Sequence, residues 1–206
     1  MGVMDEMLTY LNKDGIIQTY FDPTRPRIGK ATPSTHFFLV FNINAMPPLD
    51  PIVCVNVLTL FYKYGRGDEL DSTLEWVYSV LLHRAYLDGT LYYDGADTFL
   101  FFLSRLLRVA PIVRARFTPL FTERCLERFG TEGDALALAM RITACMAVNF
   151  KSQVDYERLL KLQEEDGSFP LAYMYKYGGT GILIGNKGLT TALSLKAIEA
   201  VRAYQQ

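Results

Sequence analysis

The chain has 206 residues, half of them apolar, and its 21 basic and 22 acidic side chains leave a net charge of −1. This apolar content suffices for one well-packed domain, so we predict a single domain over residues 1–206. The charges are balanced and no run of Lys or Arg occurs, which argues against nucleic acid or an anionic membrane surface as a partner.

The three cysteines and the N-terminus indicate where the protein resides. Cys54, Cys125 and Cys145 lie in apolar stretches without metal-ligand spacing, which predicts reduced, buried thiols and no metal site. The first ten residues carry acids where a signal peptide would carry bases, and no apolar run approaches the roughly 18 residues of a membrane span. We therefore predict a cytoplasmic protein.

Apolar residues recur at helical spacing along most of the chain, which predicts an all-α fold. The helical segments are 3–12, 51–64, 69–86, 96–108, 112–129, 133–148, 153–164 and 188–204. Every second segment from 51–64 onward consists mostly of apolar or small residues, whereas the segments between them carry charged stripes. We predict inner and outer helices in about four hairpins that form an α/α toroid, with a superhelical array or a plain bundle as alternatives.

Three Asp-Gly pairs support the hairpin repeat: Asp14-Gly15, Asp88-Gly89 and Asp166-Gly167. Glycine readily takes the left-handed backbone conformation that ends a helix. At the third pair, Gln163 is placed to bond freed backbone groups and Phe169 to pack under the turn. A Gln, then Gly four residues on, then an aromatic residue two further, resembles the QW motif of the squalene-hopene cyclase superfamily.

Further stretches carry a second resemblance. They are Asp50–Phe61, Tyr64–Gly67, Leu74–Val77, Phe101–Leu107, Tyr175–Gly178 and Gly185–Thr191. They look like the cyclase-like helical region of fungal terpene cyclases that are fused to a haloacid dehalogenase-like domain. The resemblance implies acid-initiated closure of farnesyl diphosphate to drimane-type skeletons, with the fused phosphatase-like domain acting on the diphosphate.

The stretch Leu87–Leu91 resembles the end of the haloacid dehalogenase signature. In that signature the aspartate nucleophile lies two positions before the Asp of Asp-Gly-Thr. Tyr86 occupies that position in this chain. Because no aspartyl-phosphate can form on a tyrosine, we predict no phosphatase activity.

The candidate catalytic acids are Asp50 and Asp22. An acid-initiated cyclase needs a carboxylic acid that burial keeps protonated at neutral pH. The motifs Asp-x-Asp-Asp-Thr and Asp-x-Asp-Thr-Thr, typical of class II cyclases, are absent, and Asp50 at the start of an inner helix matches their central acid only approximately. Asp50 followed by Pro51 is also a standard helix start, so a capping role stays open beside the catalytic one.

Other acids begin inner helices and are equally credible caps: Asp94, Asp97 and Asp134. The spacing Asp94-Gly-Ala-Asp97 is too sparse to supply the magnesium ligands of a class I terpene synthase. We predict no metal site and no cofactor, with magnesium only as the counter-ion of a diphosphate.

Carbocation chemistry needs a dry cavity whose aromatic faces stabilise positive charge. The predicted substrate contacts on inner helices are Phe61 and Phe99, for which ordinary core packing is the alternative. Predicted contacts from loops are Tyr92, Tyr93, Tyr173, Tyr175 and Tyr177. A diphosphate would be held by Arg25, Arg27, Lys176 and Lys187, two of which flank a Gly-rich loop before a helix N-terminus.

The sequence thus predicts a class II-like terpene cyclase or isomerase acting on a farnesyl-derived isoprenoid. The alternative is a non-catalytic isoprenoid-binding or accessory module, associated with a second copy or with a separate helical or phosphatase protein. An enzyme predicts an open aromatic cavity with a buried carboxylic acid. A binding module predicts a filled ring with Asp50 exposed as a cap, or a large apolar external face.

Overall fold

The computed structural model describes residues 2–20 and 49–204. The predicted site residues Asp22, Arg25 and Arg27 lie outside these residues. The helices are α1 (Val3–Leu8), α2 (Pro51–Lys63), α3 (Asp71–Leu82), α4 (Ala96–Val109), α5 (Pro111–Glu127), α6 (Ala135–Met146), α7 (Gln153–Lys161) and α8 (Lys187–Tyr204). The all-α prediction is confirmed, and the helices match the predicted segments closely except where α1 and α3 stop early.

A β-hairpin precedes α8, where the sequence predicted a loop. Its strands are β1 (Tyr173–Lys176) and β2 (Leu183–Gly185), which pair antiparallel with Tyr175 opposite Ile184. Short 3₁₀ turns occur at Gly67–Leu70 and Gly178–Thr180. The loop prediction was therefore wrong for residues 173–176, because alternating aromatic residues in β1 favour a strand, whereas Tyr177 lies in the turn between the strands.

The helices pack in two layers. Helices α2, α4, α6 and α8 form a row in which each contacts the next, while α3 and α5 pack against each other and α7 packs against α6 and α8. The predicted inner helices are the members of this row. Closure of the hairpins into a toroid stays a prediction.

Two helices of this row, α2 and α6, have an aspartate side chain that caps the N-terminus. The Oδ1 atom of Asp50 accepts hydrogen bonds from the backbone N–H groups of Ile52, at 2.8 Å, and Val53, at 3.2 Å. The Oδ1 atom of Asp134 accepts one from the N–H of Ala137 at 2.9 Å. These bonds satisfy donors that the first turn of a helix leaves without partners. The capping roles predicted for both residues are confirmed.

The turn at residues 163–169 forms as predicted. Gly167 has a φ of 82°, and the Nε2 atom of Gln163 donates to the carbonyl of Gly167 at 2.9 Å. Phe169 is fully buried in a cluster between α6, α7 and α8, and its N–H donates to the hydroxyl of Thr191 at 3.0 Å. The turn therefore attaches α7 to α8 through both polar and apolar contacts.

The core is filled by apolar side chains of both layers, and all three cysteines are buried and unbridged within it. Cys54 donates from its thiol to the carbonyl of Ile17 at 3.5 Å, which ties the N-terminal segment to α2. Among the described helices, none is long and apolar enough to cross a bilayer.

A buried ion network joins α4, α6 and α7. Arg141, with 0% of its side chain exposed, binds Asp97 through Nε and Nη2 at 3.0 and 2.9 Å, and binds Asp155 through Nη1 at 2.9 Å. Arg128 adds a contact to Asp97 at 3.0 Å, and Arg141 also donates to the carbonyl of Thr131 at 2.8 Å. Asp97 is thus an ion-pair partner rather than the cap that its position suggested.

We expect Arg141→Met to lower the free energy of unfolding by about 3–5 kcal/mol, because it leaves two carboxylates without their buried partner. Lys187→Met is the matched control, since Lys187 forms an exposed ion pair with Glu164, which water and salt screen, so its loss should change stability little. Urea unfolding of both variants measures the difference, and equal losses would contradict a structural role for the network.

Candidate functional site

Several predicted site residues meet at one region, which we call the mouth: Asp50, residues 90–95 and the hairpin 173–185. Tyr93 forms an isolated antiparallel bridge with Tyr175 of β1. The N–H of Lys176 donates to the carbonyl of Tyr92 at 2.8 Å, and the Lys176 ammonium lies 3.1 Å from Asp94 Oδ1. The hairpin is therefore anchored to the loop that precedes α4.

The loop at 90–95 is shaped by Gly89 and Thr90. Gly89 has a φ of 72°, and a Cβ atom there would lie 2.6 Å from the carbonyl oxygen of Tyr93. The hydroxyl of Thr90 accepts hydrogen bonds from the N–H groups of Tyr92 and Tyr93 at 3.1 and 3.0 Å. The Asp-Gly-Thr sequence is thus a turn that presents two tyrosines, as its structural interpretation predicted.

Tyr93 occupies the centre of the mouth. Its ring centroid lies 5.1 Å from that of Tyr175 and 5.9 Å from that of Phe102. Burial raises the pKa of Tyr93 above its ordinary value, and contact with Tyr175 and the charge of Asp50 raise it further. Burial, followed by the charge of Asp50, also raises the pKa of Cys54. Asp50, Cys54 and Tyr93 therefore share one electrostatic environment.

Asp50 is 1% exposed, although it caps α2. Its Oδ1 atom is engaged by two backbone N–H groups. The cap and the buried carboxyl, which the sequence presented as alternatives, are therefore properties of the same side chain.

The two phenylalanines predicted to contact substrate have the packing of core residues. Phe61 is fully buried near the C-terminal end of α2, about 16 Å along the helix from Asp50 at 1.5 Å per residue. Phe99 stacks on Tyr86, with ring centroids 4.9 Å apart. Neither belongs to the mouth as defined above.

The remaining predicted contacts lie on or near the hairpin. Tyr177 is 63% exposed in the turn between the strands. Lys187, at the start of α8, pairs with Glu164 at 2.5 Å, and Lys176 pairs with Asp94. Both described cations of the predicted diphosphate site are thus held by exposed carboxylates, which such a ligand would have to displace.

A polar cavity of about 210 Å³ opens beside the N-terminal ends of α4 and α6. It is lined by Asp94, Gly95, Asp97, Thr98, Arg128, Glu132, Gly133, Asp134, Leu136, Ala137, Met140 and Tyr173. The lining therefore gives this cavity the character of a charged cleft, and the aromatic cavity that the sequence predicted stays a prediction. Within the described ranges, no group of three or more His, Cys, Asp or Glu side chains is arranged to hold a metal ion.

Comparisons with known proteins give two similarities. The family model of the sesquiterpene cyclase astC-like C-terminal domain matches residues 1–64. The drimenol cyclase drtB of Aspergillus calidoustus is 46% identical over 199 residues, which make up 96% of this chain and 34% of that protein. The chain thus spans about a third of that relative's length. No solved structure matches. These similarities relate the chain to a region of fungal terpene cyclases.

We expect Gly89→Ala to destabilise the protein more than Gly65→Ala. Both glycines have positive φ, a conformation that costs a residue with a Cβ atom about 1–2 kcal/mol. At Gly89 the new Cβ atom would also collide with backbone atoms, whereas no atom lies within 4 Å of a Cβ atom at Gly65. Amide hydrogen exchange of Lys176 provides the local readout. Faster exchange in Gly89→Ala alone is expected, and unchanged exchange would contradict the coupling of loop and hairpin.

Stability should fall at alkaline pH. Burial raises the pKa values of Tyr86 and Tyr93 in the folded state, whereas an unfolded tyrosine ionises near pH 10. Their contribution is complete below about pH 10 and is lost as the pH rises towards the folded-state values, by up to about 1.4 kcal/mol per pH unit for each tyrosine. Urea unfolding between pH 9 and 11 should give a shallower decline for Tyr93→Phe, and identical slopes would contradict this assignment.

Proposed function

We propose that the chain carries out class II-like, acid-initiated cyclisation or isomerisation of a farnesyl-derived isoprenoid, with Asp50 as the acid. The observation that carries the proposal is the burial of the Asp50 carboxyl at an inner-helix N-terminus, beside the aromatic rings of the mouth. The similarity to a drimenol cyclase over nearly the whole chain supports the same chemistry.

The geometry of Asp50 suggests how a proton would be delivered. Oδ1 accepts two backbone hydrogen bonds, so Oδ2 would carry the transferable proton. The proton would pass from Oδ2 to the terminal alkene carbon, leaving a tertiary carbocation on the substrate and a carboxylate on Asp50. The N–H bonds to Oδ1 would stabilise that carboxylate once the proton has left.

The carbocation requires neighbours that stabilise charge without acting as nucleophiles. The faces of Tyr93, Tyr175 and Phe102 lie together at the mouth and are suited to this role. At the polar end of the substrate, Lys176 would exchange its exposed partner Asp94 for a diphosphate, a change that costs little because such pairs contribute at most about 1 kcal/mol. Arg25, Arg27 and the second candidate acid Asp22 are proposed to assist from outside the described residues.

A non-catalytic isoprenoid-binding or accessory module is the second candidate function. Two observations favour it: Phe61 and Phe99 are packed in the core, and the hairpin exposes an apolar surface. The exposed side chains are Tyr173, Tyr175, Tyr177, Ile182, Leu183 and Ile184. A partner polypeptide or an isoprenoid chain would cover such a surface.

The test is incubation of the purified chain with farnesyl diphosphate, with and without magnesium and a separate phosphatase, followed by mass-coupled chromatography. We expect a cyclic or isomerised product from the unmodified protein and a loss of at least about 100-fold in Asp50→Asn, because general acid catalysis contributes about 10²–10⁴. Asparagine caps helices as well as aspartate, so this variant keeps the fold while it removes the acid.

Asp134→Asn is the matched control, because it changes the cap of another inner helix and should leave the product yield unaltered. Product that persists in Asp50→Asn would remove Asp50 from the role of acid. Binding of farnesyl diphosphate without any product would favour the accessory module.

A further inference from the structure

The connection between α4 and α5 is a tight corner. α4 ends at Val109 and α5 begins at Pro111, so a single buried residue, Ala110, joins the two helices. Proline favours extended backbone in the residue before it, and Ala110 has a φ of −124° and a ψ of 87°. The last turn of α4 and the first turn of α5 are therefore adjacent at the surface.

Arginine is the only charged residue type around this corner. No Asp, Glu, Lys or His occurs over residues 98–122, which contain Arg105, Arg108, Arg114 and Arg116. Arg116 pairs with Glu75, and Arg105 lies over the ring of Phe102. The first three arginines are exposed, and none of them forms an ion pair with another described residue. The corner therefore carries three positive charges that no carboxylate neutralises by direct contact within the described part of the chain.

Exposed apolar side chains lie between these arginines. Ile112 is 75% exposed and Val109 is 38% exposed, and Pro111 between them is exposed as well. Arg105, Arg108 and Val109 are three or four residues apart in α4 and so lie on one face of the helix. We call the exposed side chains of residues 105–114 the basic corner, since it presents an apolar tip bordered by guanidinium groups.

We propose that the basic corner attaches the protein to the surface of an anionic lipid bilayer. The guanidinium groups pair with phosphate and carboxylate oxygens of the lipid headgroups, while Ile112 and Val109 enter the boundary between headgroups and acyl chains. Charge alone would suit an acidic polypeptide equally well. The exposed isoleucine favours a bilayer, because burial in acyl chains removes its apolar surface from water.

The sequence has no run of Lys or Arg, which is why it predicted no anionic membrane as a partner. The folded chain differs because the corner joins arginines of two helices, and the net charge of −1 does not reveal this local excess. The basic corner lies at the C-terminal end of α4 and the mouth at its N-terminal end, about 20 Å apart along the helix. Attachment would therefore leave the mouth uncovered.

The test is co-sedimentation of the purified chain with lipid vesicles. Vesicles of phosphatidylcholine and phosphatidylserine in equal parts should bind the chain far better than vesicles of phosphatidylcholine alone. Salt raised from about 0.1 M to about 1 M should release it, because the Debye length falls from about 10 Å to about 3 Å. Replacing all three unpaired arginines by glutamine should lower the partition coefficient about 100-fold, since each contributes about fivefold.

A second triple variant controls for net charge: Lys161→Gln, Lys196→Gln and Arg202→Gln. These side chains are exposed on α7 and α8, and none of them forms an ion pair with another described residue. Ile112→Ser should lower the partition coefficient about fivefold. Its control is Val3→Ser, because Val3 is 74% exposed on α1. Since all substituted side chains are exposed, each variant should fold, which circular dichroism checks.

Failure of the unmodified chain to bind phosphatidylserine vesicles would overturn the proposal. Equal partition coefficients for the corner variant and its charge-matched control would do the same. If polyglutamate displaced the vesicles and Ile112→Ser bound them as well as the unmodified chain, the corner would instead be a site for an acidic polypeptide. None of these measurements involves turnover, so their outcome is independent of the role proposed for Asp50.

Discussion

The guanidinium of Arg141 is a charge placed inside the apolar core, and the arrangement of three helices follows from how it is neutralised. Taking an ion out of water costs several kcal/mol unless its partners are well placed. Asp97 and Asp155 approach it from α4 and α7, and the carbonyl of Thr131 satisfies a further donor. These ion pairs hold the start of α4 against α6 and α7. They thereby also fix the position of the loop that precedes α4.

The position of the mouth depends on the ion network around Arg141, because Tyr93 and Asp94 lie just before α4. A loop tied to a rigid helix start can hold the hairpin, and Tyr93 of that loop lies within electrostatic range of Asp50. The chemistry proposed for Asp50 is therefore supported by the buried ion network and by the polar contacts of the loop before α4, as well as by the apolar core. A well-packed core and an organised site can thus coexist in this all-α fold.

Much of the fold could be predicted because it is encoded in local patterns. Apolar spacing identified the helices, and Asp-Gly pairs identified turns that Gly89 and Gly167 adopt with positive φ. The network around Arg141 was missed, because a lone arginine in an apolar helix does not reveal partners distant in sequence. The substrate contacts assigned to Phe61 and Phe99 stay predictions, because residue type cannot separate a lining residue from a core residue. The meeting of Tyr93 and Tyr175 likewise depends on tertiary contacts.

Asp50, Tyr93 and Tyr175 come from widely separated parts of the chain, and this separation has a consequence for folding. Contacts between distant residues form late, because the entropy of closing long loops must be overcome before such contacts contribute. The helical hairpins, whose contacts are local, can assemble before the mouth exists. The site at Asp50 would then be completed only at the final stage of folding, and a chain with full helical content could still have an incomplete site.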